Sequence, residues 1–185
     1  MTLSLRPLTI LAWIVAASLT GCAAVPMQPV KFQATADDSY ALVTFVRESV
    51  FMGDGIHLYL WDGETFVGTL SAGTLVQYQA APGPHVFMAS SENWSYVKAN
   101  LVAGKHYFIK ANMFPGFATM RSAMVPVKNK DARIDQWPKR LPTKAVIADK
   151  RAKYVRERTA GAATALKNFN SGAVTFAEIT DENAR

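Results

Sequence analysis

The chain has 185 residues, half of them hydrophobic, with a formal net charge of +6 and a single cysteine. One cysteine excludes an intramolecular disulfide, so the protein has to fold on its hydrophobic core alone. The length suffices for one domain with its own core, and we expect one domain with appendages.

The first 21 residues have the anatomy of a secretory signal peptide. Arg6 supplies a positive charge ahead of the apolar run LTILAWIVAASL, residues 8–19. Twelve residues make a helix about 18 Å long, too short to cross a hydrocarbon core of about 30 Å. We therefore predict an export signal over residues 1–21 rather than a membrane span.

The residues that follow, Leu19-Thr20-Gly21-Cys22, resemble the bacterial lipobox, in which a small residue precedes a cysteine. The resemblance implies diacylglycerol on the sulfur of Cys22, cleavage before it, and acylation of the new amine. It also implies a protein anchored in the membrane by this lipid. A chance thiol beside a conventional cleavage site is the alternative. Ala23 is not the aspartate that retains lipoproteins at the inner membrane, which implies the periplasmic face of the outer membrane as the destination.

Residues 23–38, AAVPMQPVKFQATADD, contain two prolines, few bulky apolar side chains and no hydrophobic period. We predict that residues 22–38 form a lipidated tether. A flexible chain of this length spans about 22 Å, which would hold the domain just off the bilayer.

Turn residues recur about every ten positions between residues 39 and 127, with β-rich runs between them. This spacing predicts a mainly β fold, an antiparallel β-sandwich of about seven to eight strands over residues 39–127. One run, IHLYLW, alternates clearly. Its two faces carry different side chains: Ile56, Leu58 and Leu60 on one side, and His57, Tyr59 and Trp61 on the other. The aromatic face needs cover, from a helix or from a partner.

Four short stretches carry a family resemblance: RESVFMG (47–53), DGETFVGTLSAG (62–73), PGPH (82–85) and GKHYF (104–108). The segment 41–127 that contains them resembles a family of bacterial lipoproteins with a domain of unknown function, which is similar to the small PEGA-type β-sandwiches. The resemblance implies this fold and an exported, membrane-tethered setting. It implies no activity and no catalytic residues.

Residue types that catalyse reactions or bind metals do not occur at the spacings that such sites need. The histidines His57, His85 and His106 have no further ligand at metal-binding spacing on the same strand face. The chain has no nucleophile elbow and no glycine-rich phosphate loop, and GDG at 53–55 lacks the other oxygen ligands of a calcium loop. We therefore expect no catalytic residue, no metal and no cofactor. His85, after a rigid turn, is the best single catalytic candidate.

Aromatic residues in predicted loops support a second hypothesis, a carbohydrate- or peptidoglycan-binding protein. Trp94 lies in SENWSY, where an exposed indole could stack on the apolar face of a sugar. The alternative is that such residues close the ends of the sandwich, because aromatic rings bury large areas. Trp94 is the candidate sugar-stacking residue.

The positive charge is concentrated in one part of the chain. Residues 128–167 carry twelve basic and four acidic groups, whereas residues 23–127 carry six and seven. Pro138 and Pro142 indicate a linker over 128–142, and Thr143 is a suitable N-cap for a basic amphipathic helix over 143–169. A short acidic tail, 170–185, follows.

The predicted helix has an apolar stripe that includes Tyr154, Val155 and Phe169, and the basic residues lie mostly opposite. Arg151 and Arg158 project into the stripe. Either the stripe packs on the sheet, or the helix is available to an anionic lipid surface or an acidic envelope protein. The candidate contacts are Lys150, Arg151, Lys153, Arg156 and Arg158. Nucleic acid, the usual partner of a basic helix, is disfavoured by the export signal.

The sequence therefore predicts a lipid-anchored protein of the cell envelope that acts as a non-catalytic interaction or structural module. Its basic helix would contact an anionic surface or an acidic partner. A carbohydrate- or peptidoglycan-binding lipoprotein is the first alternative, and an envelope hydrolase is the second.

Overall fold

The computed structural model describes residues 26–117 and 119–185, without the side chains of Asp149, Lys150, Lys153 and Glu157. The predicted signal peptide and Cys22, the predicted site of lipid attachment, lie outside this range. Within it, the chain forms eleven strands, two α-helices and one 3₁₀ helix.

The strands are β1 (Met27–Val30), β2 (Ala41–Arg47), β3 (Leu58–Asp62), β4 (Thr65–Leu70), β5 (Thr74–Ala80), β6 (Gly83–Ser90), β7 (Trp94–Leu101), β8 (His106–Pro115), β9 (Met120–Pro126), β10 (Thr143–Val146) and β11 (Ala177–Glu178). The helices are α1 (Trp137–Arg140), α2 (Ala148–Asn170) and the 3₁₀ helix Asp181–Asn183.

The strands form two sheets. Sheet A has the order β1-β10-β5-β2-β8-β9, and sheet B has the order β11-β7-β6-β3-β4. Both sheets are mixed, because β10 runs parallel to β5, β2 parallel to β8, and β11 parallel to β7, while the other pairs are antiparallel.

Strands of both sheets contribute to one hydrophobic core. Phe45 and Ile109 of sheet A and Leu60 and Phe87 of sheet B belong to the same buried cluster. Leu58 and Leu60 point inward from β3, while Trp61 belongs to a second cluster, on the outer face of sheet B. The alternation in IHLYLW therefore separates the inner face from the outer face of this strand, as we predicted.

The outer faces of both sheets are covered by other parts of the chain. Helix α2 packs on the outer face of sheet B, where Ala162 and Ala165 join the cluster that contains Trp61. Ile134 and Trp137 cover the outer face of sheet A by packing around Phe108. The aromatic row on β3 is thus covered by the protein's own helix.

The mainly β class is confirmed, but two details of the prediction are wrong. The described chain has eleven strands, of which eight lie within residues 39–127 and three outside that range, and the sheets are mixed rather than antiparallel. The additional strands β1, β10 and β11 have four, four and two residues. Such short segments show no period of their own, and they become strands by pairing with sheet edges that are distant in sequence.

The helix predicted over 143–169 begins five residues later than expected. Thr143 is not an N-cap but a buried residue of β10, where it pairs with Val30 on one side and Leu75 on the other. Helix α2 begins at Ala148, and its N-cap position Ile147 makes no side-chain capping bond. Pairing with β1 along 143–146, and with β5 at Thr143 and Lys144, provides backbone hydrogen bonds to this segment without a helix.

The described residues of the three segments predicted as tether, linker and tail also contribute to the fold. Residues 27–30 form β1, and Trp137, within the predicted linker 128–142, is buried and donates a hydrogen bond to Glu48 at 3.1 Å. In the tail, Asn183 is buried and Arg185 exchanges two backbone hydrogen bonds with His106. Apolar anchors within polar segments account for these differences.

Arg47, in the family-like stretch RESVFMG, is fully buried at the end of β2. Its guanidinium donates to the carbonyl oxygens of Gly53 at 2.5 Å, of Leu70 at 3.3 Å, and of Ile56. Burial lowers its pKa, an effect that the charge of Asp54 opposes. Arg47 therefore fastens the 48–57 loop to both sheets through backbone acceptors.

Candidate functional site

Arg158 lies on the face of α2 that packs against sheet B. Its guanidinium carbon is 4.4 Å from the ring centre of Tyr59 on β3 and 5.3 Å from that of Tyr154. Nη2 donates a long hydrogen bond of 3.4 Å to the hydroxyl of Tyr59, and the buried Nη1 has no acceptor among the described residues. Two aromatic rings therefore hold a cation whose hydrogen-bonding capacity is mostly unused.

A cavity of about 350 Å³ opens between α2 and sheet B at this point. Its lining combines aromatic rings, hydroxyls and one cation: Tyr59, Trp61, Ser90, Ser91, Trp94, Arg158 and Gly161. The indole Nε1 of Trp61 is buried and also lacks an acceptor among the described residues. The cavity brings together Trp94 and Arg158, which the sequence indicated separately and for different ligands.

Hydrogen bonds hold the hairpin loop that carries Trp94 in place. It pairs with Ser90 across the β6–β7 hairpin, and the intervening Asn93 bonds to the backbone of β9. Asn93 accepts from Ser122 N–H at 2.7 Å and donates to Ser122 C=O at 2.9 Å, which imitates a strand pair. The hairpin that carries the indole is therefore anchored to the opposite sheet.

Gly161 lies in the middle of α2 beside this indole. A Cβ atom at residue 161 would lie 3.7 Å from Cζ2 of Trp94, an ordinary contact distance. Glycine in a helix costs about 1 kcal/mol relative to alanine. The absence of a side chain here leaves the ring edge of Trp94 uncovered on the helix side.

The other predicted basic contacts have different environments. Arg151 is exposed, but its Nη2 donates to the carbonyl oxygen of Phe66 on β4, the edge strand of sheet B, at 2.5 Å. Arg156 is exposed and forms no salt bridge with the described side chains. The side chains of Lys150 and Lys153 lie outside the described set. Arg158, in contrast, points into the molecule.

The beginning of α2 lies next to the beginning of the described chain. The backbone N–H of Ile147 donates to the carbonyl oxygen of Pro26 at 3.2 Å, and Met27 pairs with Val146. This contact places the start of α2 beside Pro26, the first described residue.

The histidines occupy three separate environments. His85 lies between Asp62, with Nδ1 2.8 Å from Oδ2, and the carbonyl oxygen of Ala81, 2.7 Å from Nε2. The hydrogen bond to Asp62 raises the pKa of His85 against the effect of burial. Both ring nitrogens face acceptors, so a protonated imidazolium fits the site.

The buried His106 lies between the hydroxyl of Thr44 at 2.7 Å and the carbonyl oxygen of Ala34 at 3.0 Å, and burial lowers its pKa to about 4. His57 contacts the hydroxyl of Ser71 at 3.0 Å. No group of three or more histidine, cysteine or acidic residues within the described range is arranged to hold a metal ion. The structure therefore offers a local structural partner for each histidine.

Large exposed apolar side chains gather at one end of the molecule. Phe51 in the β2–β3 loop and Phe117 in the β8–β9 loop are both fully exposed. The two loops are adjacent, because a Cβ atom on Gly53 would lie 3.3 Å from Cε of Met120 and 3.4 Å from Cβ of Met113. By strand register this end lies on the order of 30 Å from Pro26.

The sequence did not single out Tyr59 as a site residue, although it showed that the outer row of IHLYLW needs a cover. The two arginines in the apolar stripe of the helix indicated that a cation lies on the helix face that packs on this aromatic row. Together they predict a cation against an aromatic sheet face, but not which arginine meets which ring.

We found no match to this chain among protein-family models, curated proteins or solved structures. Among the described helices, none combines the length and the apolar character that a membrane span requires.

Proposed function

We propose that the protein is a lipid-anchored, non-catalytic interaction module of the bacterial cell envelope, with the basic first half of α2 facing anionic headgroups. The observation that carries this proposal is the hydrogen bond between Ile147 N–H and the carbonyl oxygen of Pro26. It brings the start of the basic helix to the segment that would carry the lipid.

The distance to the anchor is short. Pro26 follows Cys22 by four positions along the sequence, and an extended chain of this length spans at most about 14 Å. Because β1 begins at Met27, the domain would lie against the membrane rather than at the end of a flexible tether. Ala23, after the cysteine, favours the periplasmic face of the outer membrane.

The charge on this part of the helix fits an anionic surface. Apart from Arg158, which points into the molecule, residues 148–158 carry four basic and two acidic groups. Cations near a helix N-terminus oppose the helix dipole and are mildly unfavourable within an isolated protein. Near an anionic leaflet, each cation is worth about 1 kcal/mol of attraction. A membrane would therefore compensate a charge arrangement that the fold itself does not favour.

A binding or structural role, rather than hydrolysis, is supported by the state of the best catalytic candidate. Both nitrogens of His85 are engaged by Asp62 and the Ala81 carbonyl, which leaves no free lone pair to accept a proton from a substrate. We also interpret the two sheets as a β-sandwich, because residues of both share one core.

Lipid anchoring is tested by fractionation of cells that produce the full-length chain with Cys22→Ala. We expect the variant to leave the membrane fraction and to lose lipid-dependent processing. A variant that remains membrane-bound and has the same size as the parent would contradict the lipoprotein assignment.

The orientation is tested with vesicles and a lipid-free chain, residues 22–185 with Cys22→Ser. Replacement of Arg151 and Arg156 by glutamine should weaken binding to phosphatidylglycerol vesicles about thirtyfold, since two cations contribute about 2 kcal/mol. The matched control replaces the exposed Arg121 and Lys130 by glutamine, which removes the same charge elsewhere. Equal losses in both variants would contradict a specific role for α2.

A further inference from the structure

We propose that the cavity between α2 and sheet B binds a sugar ring that bears a carboxylate, with Arg158 as the anion-binding residue and Trp94 as the stacking residue. This site faces the interior side of α2 and does not use the exposed arginines assigned to the membrane. The inference therefore stands or falls separately from the proposed membrane orientation.

Arg158 is suited to bind an anion, because its guanidinium is held in a fixed position and has a donor group without an acceptor among the described residues. The rings of Tyr59 and Tyr154 hold its guanidinium in place, at 4.4 and 5.3 Å. No carboxylate of a described residue forms a salt bridge with it, and Nη1 lacks an acceptor among those residues. A guanidinium with free donors binds a carboxylate through two parallel hydrogen bonds.

The remaining lining fits a sugar better than a simple carboxylate. Ser90 and Ser91 provide hydroxyls, and Trp94 provides an aromatic surface beside them. Sugar rings present apolar C–H groups, which pack on aromatic rings, and hydroxyls, which bond to polar side chains. A ligand that carries only a carboxylate would leave the serine and tryptophan side of the cavity unused.

The size of the cavity limits the ligand. A volume of about 350 Å³ lies near the lower end of small-molecule pockets, about 300–1,000 Å³. This volume fits one sugar with its acidic substituent. Gly161 contributes by leaving the edge of Trp94 uncovered, since any side chain there would begin 3.7 Å from Cζ2.

The experiment compares pairs of ligands that differ in the carboxylate. N-acetylmuramic acid differs from N-acetylglucosamine by a lactyl group with a carboxylate, and glucuronic acid differs from glucose at one carbon. Titration of the lipid-free chain, followed by NMR of the tryptophan indole N–H groups, should show tighter binding of each acidic sugar, by about tenfold or more. Lactate alone, without a ring, should bind more weakly than N-acetylmuramic acid.

The two acidic sugars distinguish the sources of the ligand. Preference for N-acetylmuramic acid would indicate peptidoglycan, and preference for glucuronic acid would indicate an acidic polysaccharide. Equal affinity for acidic and neutral partners would overturn the role of the carboxylate. A typical weak site is saturated at a ligand concentration on the order of 1 mM. If none of the four sugars binds at about 20 times that concentration, the proposal as a whole is overturned.

Three variants test the roles that the proposal assigns to individual residues. Arg158→Gln should abolish the preference for acidic over neutral sugars, and Trp94→Leu should weaken both by about tenfold. Gly161→Leu should block the cavity while it increases helix propensity, so binding falls although the protein is at least as stable. Lys167→Gln is the matched control, an exposed cation of the same helix outside the cavity lining, and should leave sugar binding unchanged. Unaltered binding in Gly161→Leu would overturn the location of the site.

Discussion

The guanidinium of Arg158 lies 4.4 Å from the ring centre of Tyr59, although the two residues are 99 positions apart in the sequence. Tyr59 belongs to the outer face of β3, and Arg158 belongs to the face of α2 that covers it. The cation breaks the apolar stripe of the helix, and the aromatic face of the sheet is what accommodates it. Arg158 is thus part of the helix–sheet contact.

We predict that this pair stabilises the fold by a measurable coupling. A double-mutant cycle of Arg158→Met and Tyr59→Leu, measured by urea unfolding, should give a coupling free energy of about 1–2 kcal/mol. Arg156→Met, at an exposed position of the same helix, should change stability by less than about 0.5 kcal/mol. If the changes in unfolding free energy of the two single mutations add up to the change in the double mutant, the interaction is contradicted.

His85 should make stability depend on pH on the alkaline side. The hydrogen bond to Asp62 raises the folded-state pKa of His85 above the ordinary histidine value of 6.5, so the folded protein holds this proton more tightly than the unfolded chain. The stabilisation is complete below pH 6.5 and is lost as pH rises through the folded-state pKa. His85→Gln should remove this loss.

The measurement for His85 is the free energy of unfolding of the parent and of His85→Gln between pH 6 and 9. The difference between the two proteins should shrink as the pH rises. A difference that stays constant over this range would show that the imidazolium contributes no pH-dependent stability.

His106 should act in the opposite direction. Burial lowers its pKa from 6.5 to about 4, so the folded protein favours the neutral ring. Its contribution is present above pH 6.5 and is lost as pH falls towards 4, by about 3 kcal/mol at 1.36 kcal/mol per pH unit. His106→Gln retains hydrogen-bonding groups without a titratable proton.

For His106, the parent and His106→Gln are compared by urea unfolding from pH 7 down to 4. The parent should lose more stability on acidification than the variant. The carboxyl groups of the protein also titrate in this range, but they affect both proteins alike. Parallel losses in the two proteins would contradict the neutral, buried state of this ring.

The sequence contained both halves of the helix–sheet contact, but not their assembly. The alternation in IHLYLW identified an outer aromatic row, and the period of α2 identified an apolar stripe, because both patterns are local. Whether the stripe packs on that row is a tertiary question, and two answers remained open. The cavity that joins Trp94 to Arg158 had no local pattern, since 64 positions separate its two main residues.

The short strands could not be predicted for a related reason. Thr143 looks like a helix cap from its neighbours alone, yet it pairs with Val30 and Leu75. Ala177 forms β11 only because β7 presents an open edge at Val97. Such edges exist after the sheets have assembled, so the pairing depends on residues that are far away along the chain.

We predict that the exposed apolar end is not the membrane-binding surface. Phe51→Ser combined with Phe117→Ser should leave both stability and binding to phosphatidylglycerol vesicles close to those of the parent, because both rings are fully exposed and distant from Pro26. Vesicle co-sedimentation with the lipid-free chain measures this. A loss of binding as large as that of the Arg151 and Arg156 double variant would reverse the proposed orientation.

The most direct test of the account measures which end of the anchored protein lies at the membrane. If lipid occupies the sulfur of Cys22, an introduced cysteine is the only reactive thiol in the chain, because Cys22 is the single cysteine. The full-length chain, isolated with the proposed lipid, is reconstituted in vesicles with a fluorophore at Ala152→Cys in α2, or at Phe117→Cys at the apolar end. Quenching by lipids with nitroxide headgroups reports the proximity of each label to the surface. We expect strong quenching at position 152 and little at 117, and stronger quenching at 117 than at 152 would contradict the proposed orientation.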